Sequence, residues 1–128
     1  MVRHFIVLLF FSLLLAGCSE DDEFEYVIDN QSSEKIFVSY QTAGENLLSA
    51  FADPTNDLTG QIEANSPKKF YNYEYGLREG RALSILFVTQ GTIDANSWQD
   101  ILDNELFEKR IDLTLNELAA AGYKISYP

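Results

Sequence analysis

The chain is poor in the residue types that most often carry catalysis. It has 1 cysteine and 1 histidine among 128 residues, and these are Cys18 and His4, close to the amino terminus. The residues after Cys18 therefore have no disulfide, and they lack the imidazole that most often serves as a general base near neutral pH. This composition excludes Ser–His and Cys–His nucleophile systems and histidine-based metal sites from that region.

Basic side chains are also scarce. The sequence has 9 Lys and Arg residues against 20 Asp and Glu residues, which gives a formal net charge of −11. Binding of nucleic acid depends on cationic side chains that neutralise phosphates, so this balance argues against a nucleic-acid partner. No glycine-rich phosphate-binding motif is present, and we expect no cofactor.

One long apolar run is present, and it lies at the amino terminus. Arg3 and His4 precede the run Phe5–Leu15, which one serine interrupts and two small residues follow. A basic start, an apolar core of about 7–15 residues and a small-residue exit are typical of a secretory signal peptide. A membrane-spanning helix needs about 20 apolar residues, so the run is too short to be one. We expect residues 1–17 to be cleaved.

The sequence Leu15-Ala16-Gly17-Cys18 resembles the lipobox of bacterial lipoproteins. In that family the cysteine sulfur is lipidated, the chain is cut just before the cysteine, and the new α-amine is acylated. The resemblance implies that Cys18 is the mature amino terminus and the membrane anchor. Two or more acyl chains hold a protein stably, whereas one holds it only marginally. The alternative is an ordinary secreted protein in which Cys18 has no such role.

The acidic stretch SEDDE, residues 19–23, follows Cys18 directly. It resembles the export signal that carries Bacteroidota-type lipoproteins to the outer face of the outer membrane. We therefore expect a lipid-anchored outer-membrane protein that faces outward, with the periplasmic face as the alternative. Acidic runs are otherwise usually solvated tethers. The predicted organisation is a signal peptide over 1–17, lipidated Cys18 and an acidic tether over 18–23, and a single domain over 24–128.

Period-2 alternation of apolar and polar residues predicts β-strands through most of this domain. The predicted strands cover residues 24–30, 36–40, 58–64, 69–75, 82–88, 105–113 and 123–127. The strand over 82–88 is apolar on both faces and is predicted to be central, whereas Lys109 on an inward face predicts a sheet edge. The turn residues at 31–34 predict that the first two strands form an antiparallel hairpin.

Capping residues predict two short helices, near residues 98–103 and 115–121. Ser97 and Thr114 each precede a helix and have an acidic residue three positions later, which is the spacing of a capping box. Gly122 is suited to end the second helix in the left-handed conformation.

Residues 90–96 are predicted to form a loop, and residues 42–60 remain open between a helical turn and a strand. The predicted fold class is mainly β, an antiparallel β-sandwich of the immunoglobulin-like or transthyretin-like kind with two short helices.

The C-terminal region carries a second resemblance. The stretches WQDI at 98–101, EKRIDLTLNEL at 108–118 and YKISYP at 123–128 are similar to the tail of small Bacteroidota-type surface lipoproteins. Those proteins commonly have Trp-x-x-Ile, a basic-aromatic strand, Leu-Thr-Leu-x-x-Leu and a final aromatic-x-Ile-x-Tyr-Pro. This chain has Tyr123 where the family often has Trp. The resemblance implies an extracellular β-sandwich, and it implies no activity and no site residue.

Three tyrosines form the candidate ligand-contact set. Tyr71, Tyr73 and Tyr75 fall on one face of the predicted strand over 69–75. If they are exposed, they offer a stacking platform for a glycan or peptide, because tyrosine combines a wide rigid ring with a polar tip. If they point inward, they are core residues. Trp98 is expected to be a core anchor, because it shares a helical face with two apolar residues.

Oxygen-bearing side chains occur at loop spacing in two places, Asp53-Asn56-Asp57 and Asp94-Asn96-Asp100. Neither set matches the twelve-residue calcium-binding loop, which needs a central glycine and a closing glutamate. We expect these residues to form turns and to bind no metal.

The sequence thus predicts a non-catalytic binding or accessory module, anchored to the membrane through Cys18, with a glycan or protein as its further partner. Two alternatives remain open. One is a subunit of a surface assembly that accepts a partner strand at an exposed edge. The other is a carboxylate- or calcium-dependent enzyme that acts on polysaccharide.

Overall fold

The computed structural model describes residues 23–42, 47–73, 77 and 81–128. Cys18, the predicted signal peptide, residues 18–22 of the tether and Tyr75 lie outside the described residues. The described strands are β1 (Glu23–Asn30), β2 (Ile36–Gln41), β3 (Gln61–Ile62), β4 (Ser66–Tyr73), β5 (Ala82–Thr89), β6 (Lys109–Thr114) and β7 (Lys124–Tyr127). The described helices are α1 (Gln90–Ala95), α2 (Trp98–Asp103) and α3 (Leu115–Ala120), with a 3₁₀ turn at Leu48–Ala50.

The strands form two sheets, with the orders β4-β1-β7 and β3-β2-β5-β6. One face of each sheet contributes to a shared core, because apolar residues alternate along the strands. In β1 the core residues are Phe24, Tyr26 and Ile28, and in β5 they include Ile85 and Phe87. This arrangement confirms the predicted mainly-β sandwich.

The strand pairs are antiparallel except for β7, which lies parallel to β1. The helix α3 follows β6 in one sheet and leads to β7 in the other. Because the chain crosses between sheets through α3, β7 enters beside β1 in the same direction, a geometry that a tight turn does not provide. Leu118 of α3 is fully buried in the shared core and fixes this crossing.

The predicted hairpin between the first two strands is wrong. β1 and β2 lie in different sheets, so the turn at 31–34 crosses the core instead of connecting neighbouring strands. Alternation predicts only that each strand has one apolar face to bury. Two such strands bury these faces equally well as neighbours in one sheet or as members of two sheets that face each other.

The outer face of the four-stranded sheet is covered, which explains why β5 is apolar on both sides. Leu86 packs there with Phe51 and Leu102, and Trp98 and Phe107 pack against this second cluster. The predicted central position of β5, between β2 and β6, is confirmed, as is the edge position of β6.

Several predicted boundaries differ from the observed ones. Residues 90–95, predicted as a loop, form α1, whose N-cap is the last residue of β5, Thr89. This helix is polar and short, so it has no apolar periodicity to detect. β6 begins at Lys109 and not at Glu105, because Glu105 adopts a left-handed φ of 50° at the end of α2.

Asn30 is a fully buried polar residue at the end of β1. Its Nδ2 group donates to the carbonyl oxygens of Glu34 at 2.8 Å, Glu63 at 3.0 Å and Ile62 at 3.3 Å. Its Oδ1 atom accepts from the amide and the hydroxyl of Ser32, at 3.1 Å and 2.6 Å. This one side chain therefore joins the end of a strand in one sheet to the entry of β2 and the end of β3 in the other.

We expect Asn30→Ala to lower the free energy of unfolding by about 3 kcal/mol, because it leaves several buried carbonyls without a donor. Urea denaturation measures the loss. Ser32→Ala is the matched control and is expected to cost about 1 kcal/mol, because it removes the hydroxyl's contacts with Asn30 and Glu34 but leaves the Asn30 donor in place. Equal, small losses in both variants would contradict this role of Asn30.

The cap of α3 forms at Thr114 as predicted, but Glu117 completes it differently from a capping box, because its carboxylate accepts from the Thr114 hydroxyl. The Thr114 hydroxyl oxygen accepts from the Glu117 amide at 3.2 Å, and its proton goes to the Glu117 carboxylate at 3.0 Å. We expect Thr114→Ala to cost about 1 kcal/mol of unfolding free energy, whereas Thr114→Ser keeps the cap and most of that stability. A denaturation midpoint for Thr114→Ala that equals that of the wild type would refute the capping role.

Candidate functional site

Two hollows in the described surface lie beside a loop that we call the 52–60 segment. It runs along β2, and hydrogen bonds to β2 hold both of its ends. Ser39 Oγ donates to the Ala52 carbonyl at 2.6 Å, and the Val38 amide donates to the Gly60 carbonyl at 2.7 Å. A Cβ atom at Gly60 would lie 2.5 Å from the Val38 carbonyl oxygen, so glycine permits this close approach.

Two carboxylates of the segment are held by local turns. Asp53 Oδ1 accepts from the amide and hydroxyl of Thr55, at 2.9 Å and 2.6 Å, and Asp57 Oδ1 accepts from the Thr59 amide at 2.7 Å. These are Asx turns, which agrees with the prediction that the residues form turns. The bond from the Thr59 amide keeps the pKa of Asp57 below its usual value.

The second oxygen-rich set is also engaged in local structure. Asp94 Oδ1 accepts from the Gln90 side chain at 2.7 Å, and Asn96 Nδ2 donates to the Thr92 carbonyl at 3.1 Å. Within the part of the chain that the structure describes, no group of three or more potential metal ligands comes together.

Two hollows border the 52–60 segment, and Asp53 lines both. The first has a volume of about 340 Å³ and lies between the segment and β2, where Tyr40, Pro54 and Asp57 contribute to its wall. The second has a volume of about 400 Å³ and lies toward the helices, and its walls are formed by Asp53, Thr55, Ile93, Asn96, Ser97 and Trp98. Each is large enough to hold a small ligand or a few residues of a peptide.

Trp98 has two roles in this region. Its ring packs against the outer cluster, and its indole Nε1 donates to the Phe51 carbonyl at 3.0 Å, which agrees with the predicted core anchor. The same half-buried side chain forms a wall of the second hollow. The sequence pattern indicated only the first role, because the wall exists only when α2 lies beside the 52–60 segment.

The inner wall of the first hollow is an incompletely paired strand edge. β2 pairs with β5 from Ile36 to Gln41, but β3 pairs only with Ile36 and Phe37. Backbone groups alternate sides along a strand. The Val38 amide points toward Gly60, so the amide and carbonyl of Tyr40, two residues on, point to the same side.

No strand among the described residues pairs with β2 at Tyr40 on that side. The cause is local, because the Leu58 carbonyl, which a longer β3 would direct to Tyr40, accepts from the Gln61 amide in a turn at 3.2 Å. The Tyr40 side chain is 37% exposed and contacts Phe70 edge-on, with ring centroids 5.9 Å apart.

The predicted tyrosine platform is described only in part. Tyr71 lies on the outer face of β4, is 55% exposed and pairs across the strands with Glu25. Tyr73 pairs with Glu23 in the ladder, and Tyr75 lies outside the described residues. The platform therefore stays a prediction, with Tyr71 as its described member.

Comparisons with protein-family models, with curated proteins and with solved structures give no match. Across the described parts of the chain, every helix is too short or too polar to cross a bilayer.

The edge geometry predicts that the Tyr40 amide exchanges its hydrogen faster than the two amides before it in β2. The Ser39 amide belongs to the ladder with β5 and the Val38 amide is bound by Gly60, so both are expected to exchange slowly. The Tyr40 amide is expected to exchange much faster than either. Residue-resolved NMR exchange measures this, and a Tyr40 amide as protected as that of Ser39 would show that the edge is closed.

Proposed function

We propose that this chain is a lipid-anchored, non-catalytic binding module of the cell envelope. Cys18 is its attachment point, and the two hollows beside the 52–60 segment are its binding surface. The observation that carries the proposal is the pair of hollows that meet at Asp53, with polar groups held in place by turns. Preorganised polar groups around apolar walls are the usual composition of a binding site.

The electrostatics of the first hollow favour binding over acid catalysis. A general acid at neutral pH needs a carboxyl group whose pKa is raised toward 7. The pKa of Asp57 is lowered by the Thr59 amide, so the group is ionised at neutral pH. An ionised, fixed carboxylate serves as an acceptor for a cationic or hydroxyl-bearing ligand.

The short tether determines which end of the domain an anchor at Cys18 would hold near the membrane. Cys18 and Glu23 are separated by five residue steps, which reach at most about 18 Å. An anchor at Cys18 would therefore hold the Glu23 end of β1 toward the membrane. β2 starts beside Asn30 and runs back from it, so the first hollow at Tyr40 lies toward this same Glu23 end.

A subunit of a surface assembly is the second candidate, because β6 forms an open edge of the four-stranded sheet. Lys109 of this strand points over the Phe87 ring at 5.9 Å. An inward-pointing charge on an edge strand discourages pairing with another chain, so this candidate has weaker support.

Attachment through Cys18 is tested by metabolic labelling with palmitate in a bacterial host. We expect the wild type and a Ser19→Ala control to incorporate label and Cys18→Ala to incorporate none, because only the cysteine sulfur and the amine exposed by cleavage before it accept lipid. Equal labelling of Cys18→Ala and wild type would refute the anchor.

The binding surface is tested with the full chain in detergent against arrays of bacterial surface glycans and of random linear peptides. We expect Thr59→Trp or Thr55→Trp to abolish binding of any selected ligand, because both exposed threonines border a hollow that an indole would fill. Tyr71→Ala, on the opposite sheet, is the matched control. Loss of binding in Tyr71→Ala alone would move the site to the tyrosine face.

A further inference from the structure

Given the proposed binding function, we propose that the first hollow accepts an extended peptide segment of a partner protein. The segment adds a short strand to the free edge of β2 at Tyr40, and it places a lysine or arginine side chain beside Asp53 and Asp57. Strand addition of this kind takes its affinity from main-chain hydrogen bonds and its specificity from side-chain pockets.

The register of the existing strands defines where such a segment would lie. Ile36 pairs with Ile62 and Phe37 with Gln61, so a longer β3 would place Leu58 opposite Tyr40. Leu58 instead is 77% exposed, and its carbonyl accepts from the Lys68 ammonium at 2.6 Å. The chain thus leaves the edge before Tyr40, and the first hollow occupies the position that the strand would have taken.

The other described sheet edges carry features that discourage pairing. β4 contains Pro67, which has no amide proton, and Lys68 beside it, whose ammonium holds the carbonyls of Leu58 and Gln61. β6 has the inward charge of Lys109, β7 is only 4 residues long, and β3 is only 2 residues long. The edge at Tyr40 has no proline and no inward charge, and it opens into a hollow.

Charge selects a basic segment. Asp53 and Asp57 line the hollow, and both are oriented by turns within the 52–60 segment. Lys68 lies close enough to help lower the pKa of Asp57, but its ammonium donates to two carbonyl oxygens, at 2.6 Å and 2.9 Å. The formal net charge of the whole chain is −11, so longer-range attraction also favours a cationic partner.

The free part of the β2 edge is short, which limits its affinity for the peptide. Tyr40 offers one amide and one carbonyl, so the ladder supplies two main-chain hydrogen bonds, and the ion pairs and the contact with the Tyr40 ring supply the rest. We therefore expect binding that weakens as salt rises, because the carboxylates are exposed to solvent.

The test selects peptides from a phage-displayed random linear library on the full chain in detergent and measures their affinity by fluorescence anisotropy. Selected peptides are expected to share a lysine or arginine among β-forming residues. Binding to Tyr40→Pro is expected to be roughly tenfold weaker than binding to Tyr40→Thr, because both variants lose the ring but only proline loses the amide proton. Circular dichroism checks that both variants are folded.

The double variant Asp53→Asn/Asp57→Asn keeps the test decisive if Tyr40→Pro does not fold. Asp53→Asn and Asp57→Asn retain an oxygen acceptor for each turn and remove the charge. The double variant is expected to bind the selected peptides roughly tenfold more weakly and with little salt dependence. The NMR signal of the Tyr40 amide in the wild type is expected to gain exchange protection on peptide binding.

The outcomes separate this inference from the proposed function. Failure to enrich basic peptides, or equal binding by wild type and the double variant, overturns the peptide inference. If a glycan binds and Thr55→Trp blocks it while no peptide is selected, the binding function stands and the strand-addition inference falls. Absence of any ligand from both arrays removes both.

Discussion

The fold depends on the buried amide of Asn30. β1 and β2 are consecutive in sequence but lie in different sheets, so no hydrogen-bond ladder connects them. The Asn30 side chain replaces that ladder with bonds to the turn before β2 and to the carbonyls that end β3. A buried amide with its donors and acceptors satisfied specifies one geometry, because any shift leaves polar groups unpaired.

This constraint has consequences at the other end of β2. Because the turn delivers β2 into the second sheet, β5 pairs along its full length and becomes the buried centre of that sheet. The remaining edge of β2 is left to β3, which is 2 residues long. The turn before β3, in which the Gln61 amide donates to the Leu58 carbonyl, takes Leu58 out of that register, so the first hollow beside Tyr40 follows from a short strand and the turn that precedes it.

The candidate site was only partly readable from the residues. Asp53 and Asp57 were predicted to form turns, and the structure shows those turns, since an Asx turn depends on residues two positions apart. Their meeting with Tyr40 could not be predicted, because Tyr40 and Asp57 belong to elements whose pairing is decided elsewhere. The tyrosine face could be proposed from the sequence because alternation within one strand is visible there, whereas a hollow between three elements is not.

The sequence by itself determined the features that short-range physics controls. The mainly-β class, the central character of β5, the edge position of β6 and the caps at Ser97 and Thr114 follow from periodicity, charge and hydrogen bonds within a few residues. Tertiary structure alone decided which strands pair, the parallel entry of β7, and the crossing of the core after Asn30. A strand with one apolar face is satisfied by a neighbour beside it or a sheet opposite it, and only the packing of the whole core distinguishes the two.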